Sequence, residues 1–233
     1  LDVSFFLHLN PADPIQDREI YNPFFKGIVM KENLERSFEV VDTELTPNPN
    51  AFKYILNAPV IGSGTKSITS EEDAPGNHFV RSVFALGNVQ SIFLAENFVT
   101  VSFLPSHNLE VLVEAVEDTI EEYLTFYDGK STEPEKKDEP SILENLDEID
   151  FPNLSDPEKG AVIDAVLDET VRPALANDGG GLTVLDFEGN TLRIRYQGAC
   201  GSCPSSATGT LRAIENILRT YLKEEIQVSI ASI

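Results

Sequence analysis

The sequence predicts an α+β protein of two small domains joined by a charged, flexible linker. Three observations carry that expectation. The stretch "DGKSTEPEKKDEP" at 128–140 is charged, contains proline and is almost free of apolar residues, as an interdomain linker would be. On either side of it, helical stripes of apolar residues occur together with short alternating strand-like runs. The 233 residues, 41% of them hydrophobic, suffice for two packed cores and argue against wholesale disorder. The expected division is an N-terminal extension of unknown role at 1–37, a first domain at 38–128, an acidic linker at 129–152 and a second domain at 153–233.

Along the first domain, "SFEVVDTEL" reads as a strand and "TPNPNAFKYIL" as a turn running into another. The runs "VQSIFL" and "FVTVSF", separated by "AEN", read as a hairpin. A strong helix follows, because Leu109, Leu112, Val113, Val116, Ile120 and Leu124 recur at three- and four-residue spacing. Its carboxylates, Glu114, Glu117, Asp118, Glu121 and Glu122, form the wet face. "SILENLDEID" is either a short acidic helix or more linker.

The second domain reads in the order α-β-β-α-β. Ser155 and Glu158 make a capping box for a helix that Pro173 should bend or weaken. "NDGGG" stops it, with left-handed backbone available at Asn177 and at each of the three glycines. "LTVLDF" and "TLRIRYQ" around "EGN" form an antiparallel hairpin. A second amphipathic helix turns Leu211, Ile214, Ile217, Leu218 and Tyr221 inward, and "IQVSI" is the last strand.

Charge and cysteine usage narrow the function. With 17 Lys and Arg against 39 Asp and Glu, the net charge of −22 repels a phosphate backbone, so nucleic acid is not an expected partner. No run of eighteen apolar residues exists, so no membrane span is expected. The acidic start, "LDVSFFLHLNPADP", has neither a signal nor a transit pattern and favours the cytoplasm, with an organelle matrix after leader removal as the alternative. The Gly-Ser-Gly at 62–64 is not a phosphate loop, since no Lys-Ser/Thr follows at P-loop spacing and no strand–helix context is evident. No catalytic triad or carboxylate pair stands out, and the protein is not expected to be an enzyme.

The only two cysteines, Cys200 and Cys203, lie in "QGACGSCPSSA" between a predicted strand and helix. Cys203 falls at or just before the helix N-terminus, where exposed N–H groups favour thiolate over thiol. Gly198 and Gly201 clear space for a bulky anionic ligand, and Ser202, Ser205 and Ser206 could donate hydrogen bonds. These features suit a thiolate on a metal or cluster, and they suit a redox dithiol. Tetrahedral zinc or an iron–sulfur cluster needs about four protein ligands. The chain has two thiolates, and His8, His78 and His107 all lie outside the second domain. A site shared by two chains, one cysteine pair from each, completes the count.

The stretch "VRPALANDGGGLTVLDFEGNTLRIRYQGACGSCPSSATGTLRAIENIL" resembles the NifU C-terminal-like domain of Nfu-type iron–sulfur proteins. The family's R-P-x-L-x-x-D-G-G segment is matched by Arg172, Pro173, Leu175, Asp178, Gly179 and Gly180. Its G-A-C-x-x-C-P-S-S loop is matched by Gly198, Ala199, Cys200, Cys203, Pro204, Ser205 and Ser206, and T-L-x-x-I-E by Thr210, Leu211, Ile214 and Glu215. "TPNPNAFKYIL" and "LGNVQSIFLAENFVTVS" resemble the Nfu N-terminal domain, with departures at Asn88 and along "GSGTKSITSEEDAPGN".

The resemblance implies a carrier or scaffold that binds a [4Fe–4S] cluster, with [2Fe–2S] as the alternative, between two protomers. Cys200 and Cys203 are then the iron ligands, Asp178, Gly179 and Gly180 shape the turn beside them, and the loaded protein is a homodimer. Partners are an upstream cluster-assembly scaffold and recipient apo iron–sulfur proteins. The first domain would contribute recognition while the linker lets the loaded pair swing. The rival readings of the same C-x-x-C are a thiol–disulfide oxidoreductase and a zinc-stabilised interaction module.

Overall fold

The computed structural model describes residues 37–127, 141–201 and 209–231. The expected linker at 128–140, the extension at 1–36 and the 202–208 part of the cysteine loop lie outside the described residues. The architecture is α+β in two domains, each with its own sheet and hydrophobic cluster.

The first sheet has five antiparallel strands in the order β1-β2-β5-β4-β3. They are β1 (Val40–Leu45), β2 (Ala51–Leu56), β3 (Thr65–Ile68), β4 (Val89–Ala95) and β5 (Phe98–Phe103). The β4–β5 hairpin turns on Glu96 and Asn97, with Ala95 opposite Phe98. Helices α1 (His78–Ala85) and α2 (Leu109–Tyr123) cover one face. On that face lie Tyr54, Leu56, Ile92, Leu94, Val99, Val101 and Phe103, packed with Phe79, Val83, Val116 and Ile120. The expected stripe on α2 is the one that packs, while Val111 stays exposed.

Helix α1 and strand β3 are not evident in the sequence expectations. Asn77 starts α1 by accepting from the Val80 N–H, and Phe79, Val80 and Val83 supply a short buried face. The helix ends on two consecutive left-handed residues, Gly87 at φ 77° and Asn88 at φ 57°. Asn88, the departure from the family pattern, is thereby accounted for. Asparagine tolerates the left-handed region better than other side-chain-bearing residues, and its carbonyl accepts from Leu104 at 2.7 Å.

The second domain begins with packed residues inside the stretch read as linker. Helix α3 (Ile142–Asn145) and the turn after it place Ile142, Leu143, Leu146 and Ile149 against the core, and Phe151 is buried in it. The Ser155–Glu158 capping box opens α4 (Asp156–Thr170). The helix breaks at Val171, and Pro173 stands in the first turn of α5 (Arg172–Asn177), where a missing N–H costs nothing. Arg172 bridges the break, pairing with Asp164 at 2.6 Å and Asp168 at 2.7 Å and donating to the Leu182 carbonyl. Burial alone would lower its pKa, but Asp164 and then Asp168 outweigh that and raise it.

Strands β6 (Gly180–Glu188) and β7 (Thr191–Gly198) form the expected hairpin, and β8 (Gln227–Ile230) joins β7 in parallel after α6 (Gly209–Leu222). Two expectations are corrected here. Of the "NDGGG" residues only Gly179 is left-handed, at φ 74°; Asn177 ends α5, and Gly180 and Gly181 begin β6. On α6, Leu222 is buried beside Ile214 and Leu218, while Tyr221 is 39% exposed.

Candidate functional site

The cysteine loop is built on the far end of the β6–β7 hairpin. Gly180 pairs with Gly198, and the Ala199 N–H donates to the Gly179 carbonyl at 3.1 Å. The chain then turns sharply, with the Gly201 N–H donating to the Gly198 carbonyl at 3.0 Å. Cys200 occupies this turn, half-buried at the edge of the second core. Its sulfur lies where a Gly180 side chain would be: a Cβ there would come within 2.5 Å of Cys200 Sγ. Gly180 is therefore required by close approach rather than by backbone angle. Gly198 is required by both, since it sits at φ 59° and a Cβ would meet the Gly179 carbonyl at 2.6 Å and the Phe93 ring at 2.8 Å.

Cys200 opens onto a groove of about 390 Å³ lined chiefly by Pro47, Asn48, Leu175, Asp178, Thr210 and Ile214. Tyr196 stands beside it. Burial, and then the neighbouring Cys200, push the Tyr196 phenol up to about 12. The Thr210 hydroxyl lies close enough to lower it slightly but is not placed for a proper hydrogen bond.

The first domain supplies the rest of the surroundings. Its second sheet face carries Lys53, Phe93, Ala95, Phe98, Thr100 and Ser102, all buried. Phe93, Ala95 and Phe98 form a small cluster with Ile55 and with Ala176 of α5. A Gly179 side chain would run into Thr100, Thr46 and Lys53, and Phe93 lies against the Cβ positions of Gly181 and Gly198. Asn48, 1% exposed, donates from Nδ2 to the Ala199 carbonyl at 3.0 Å. Ser102 Oγ donates to the Gly198 carbonyl at 3.4 Å, and Lys53 Nζ donates to the Asn177 carbonyl at 3.3 Å.

Of the residues expected from sequence, Cys200, Asp178, Gly179 and Gly180 are brought together, and Cys203, Ser202, Ser205 and Ser206 lie outside the described residues. Among the described residues no three His, Cys, Asp or Glu side chains group to hold a metal. The donor chemistry fits an iron–sulfur cargo in kind: a thiol at an open groove, with glycine on the sulfur's inner side. Asn48, Lys53, Thr100 and Ser102 are the neighbours that sequence reasoning missed.

Comparison with known families agrees with this architecture. The profile of the NifU-like domain matches residues 163–229, and that of the Nfu/NifU scaffold protein N terminus matches residues 41–126. The chain thus carries an Nfu/NifU N-terminal domain followed by a NifU-like domain. Among its relatives is the human protein named NFU1 iron-sulfur cluster scaffold homolog, mitochondrial, 29% identical over 79% of this chain and 68% of that one. Another is NifU-like protein 4, mitochondrial, of Arabidopsis thaliana, 28% identical over 82% of this chain and 65% of that one. The chain thus spans about two thirds of the length of these relatives. The crystal structure of protein SAV1430 from Staphylococcus aureus is 25% identical, with a TM-score of 0.32, over 36% of this chain and 99% of that one. No helix among the described residues is long and apolar enough to cross a membrane.

Proposed function

We propose that the protein is a carrier or scaffold for iron–sulfur clusters rather than an enzyme. It binds a [4Fe–4S] cluster between two copies of the chain, through Cys200 and Cys203 of each, and passes it to apo-proteins. The observation that carries this is the setting of Cys200: a thiol on a glycine-cleared turn at an open groove, in a chain with only two cysteines. Two thiolates per chain fall short of the about four that a cluster needs, so sharing between protomers completes the site. The names of the relatives support the reading. They also favour an organelle matrix over the cytoplasm expected from the acidic start.

Transfer from such a site is ligand exchange. An iron–thiolate bond to Cys200 breaks as one to a recipient cysteine forms, and the released thiolate takes up the proton that the recipient thiol gives up. No net oxidation or reduction occurs. A shared site at a protomer interface lets the recipient replace the four ligands stepwise. In this reading the domains expected at 38–128 and 153–233 are the two functional units, the second extended back to the packed Ile142, and the stretch before it connects them.

Anaerobic reconstitution with iron and sulfide tests the proposal. The expected product is brown, dimeric by light scattering, and carries four irons per dimer with the Mössbauer signature of [4Fe–4S]. Cys200→Ser and Cys203→Ser each abolish iron retention while leaving circular dichroism unchanged. A colourless, monomeric product whose cysteines cycle between dithiol and disulfide would assign the oxidoreductase instead.

A further inference from the structure

We infer that the first domain forms one wall of the cysteine site, and that Asn48 is a positioning residue for Cys200 through the Ala199 carbonyl. The inference rests on the proposed cluster-binding role of Cys200. Asn48 lies in the "TPNPN" turn before β2, more than 150 residues from the loop it holds, and is almost fully buried. Its two amide ends have different jobs. Oδ1 accepts from the Asn50 N–H at 3.1 Å and so fixes its own turn. Nδ2 crosses to the other domain and meets the Ala199 carbonyl at 3.0 Å. Ala199 immediately precedes Cys200, and its N–H is already bonded to Gly179. With its N–H and its carbonyl both bonded, neither peptide plane flanking Ala199 can rotate without breaking a hydrogen bond. The direction of the Cys200 side chain is thereby set partly by the first domain.

Pro47 and Asn48 line the same groove as Cys200, so the wall also bounds the space into which the sulfur faces. A ligand loop held at Ala199 keeps the Cys200 thiolate in place after one iron–sulfur bond breaks, which favours re-formation over loss. The first domain therefore governs how readily cargo leaves, in addition to any recognition role.

Asn48→Asp separates the two jobs, because a carboxylate still accepts from Asn50 but cannot donate to Ala199. In the full-length chain, amide hydrogen exchange at Ala199 and Gly201 in the apo form reads the loop directly. Iron loss from the reconstituted protein into bathophenanthroline reads the cluster. The expected result is unchanged iron content at loading, with exchange and iron loss each faster by about fivefold, the scale of one hydrogen bond. Ser102→Ala, which removes the longer bond to Gly198, changes both by about twofold and serves if Asn48→Asp does not fold. Folded variants with wild-type rates of iron loss overturn the inference, whether or not exchange changes. A wild-type chain that takes up no cluster overturns the proposed function instead, and unchanged exchange in that protein then overturns the wall as well.

Discussion

The two sheets differ in how many faces they bury. In β7 burial alternates: Leu192, Ile194 and Tyr196 point into the core while Arg193 and Arg195 face water. In β5 every residue from Phe98 to Phe103 is buried. One face of β5, with Val99, Val101 and Phe103, meets the helices; the other, with Phe98, Thr100 and Ser102, meets the Gly179–Gly198 end of the second domain. An antiparallel sheet with one wet face alternates apolar and polar residues. The second face of the N-terminal sheet is built instead of small, hydroxyl and aromatic side chains with one lysine, Lys53, and the backbone of the second domain lies against it. Among the described residues the outer face of β7 is wet at Arg193 and Arg195, while the first domain covers the hairpin at its Gly180–Gly198 end.

Paired glycine substitutions probe this difference most strongly. Gly198 and Gly189 have nearly the same left-handed φ, 59° and 60°, but a Cβ at Gly198 strikes the Gly179 carbonyl and Phe93, whereas at Gly189 nothing lies within 4 Å. Gly189→Ala is expected to cost about 1–2 kcal/mol, the backbone penalty alone. Gly198→Ala should cost about 4 kcal/mol or more in urea unfolding, since overpacking adds to the same penalty. Equal costs at the two positions would mean that this cover contributes no stability. Phe93→Ala comes next. The ring is fully buried between the sheet and the hairpin end, and its loss should cost about 3–4 kcal/mol. The same variant should raise amide exchange at Gly181 and Gly198, which a cavity confined to the first core would leave unchanged. The smallest effect is at Thr100, whose buried hydroxyl has no hydrogen-bond partner. Thr100→Val should be neutral or stabilising by up to about 1 kcal/mol, because the unsatisfied group is removed at constant shape. A measured loss of stability would reveal a polar contact on this face that the structure does not display.

What the sequence disclosed follows from which signals are local. The β4–β5 hairpin, the α2 stripe and the Ser155–Glu158 box are written in neighbouring residues, and all appear as expected. Helix α1 is short, with an asparagine cap inside a loop-like stretch, so its periodicity covers barely two turns. The phase of α6 was off by one residue at its end, where Tyr221 and Leu222 are both apolar enough to fill the site and only packing against β8 decides. At the candidate site, the glycines and Cys200 were legible as a motif. Asn48 was not, because it reads as an ordinary turn residue until the fold brings it to Ala199. "FVTVSF" carried a usable sign in retrospect: its alternate face is Phe, Thr and Ser, with no charge to hold water.

The two ends of the stretch between the domains are both anchored. Tyr127 donates its N–H to the Val60 carbonyl at 2.8 Å, and Ser141 and Ile142 are bonded to Glu169. Only 14 peptide steps separate Tyr127 from Ser141, which bounds the separation of those anchors at about 50 Å. A contact tethered on that scale meets its partner at an effective concentration of order millimolar. The Asn48–Ala199 contact can therefore be weak by the standards of a complex between separate chains and still stay closed most of the time. Proteolytic nicking within 128–140 would remove the tether while leaving the Asn48–Ala199 contact itself intact, and dilution would then favour separation of the two domains.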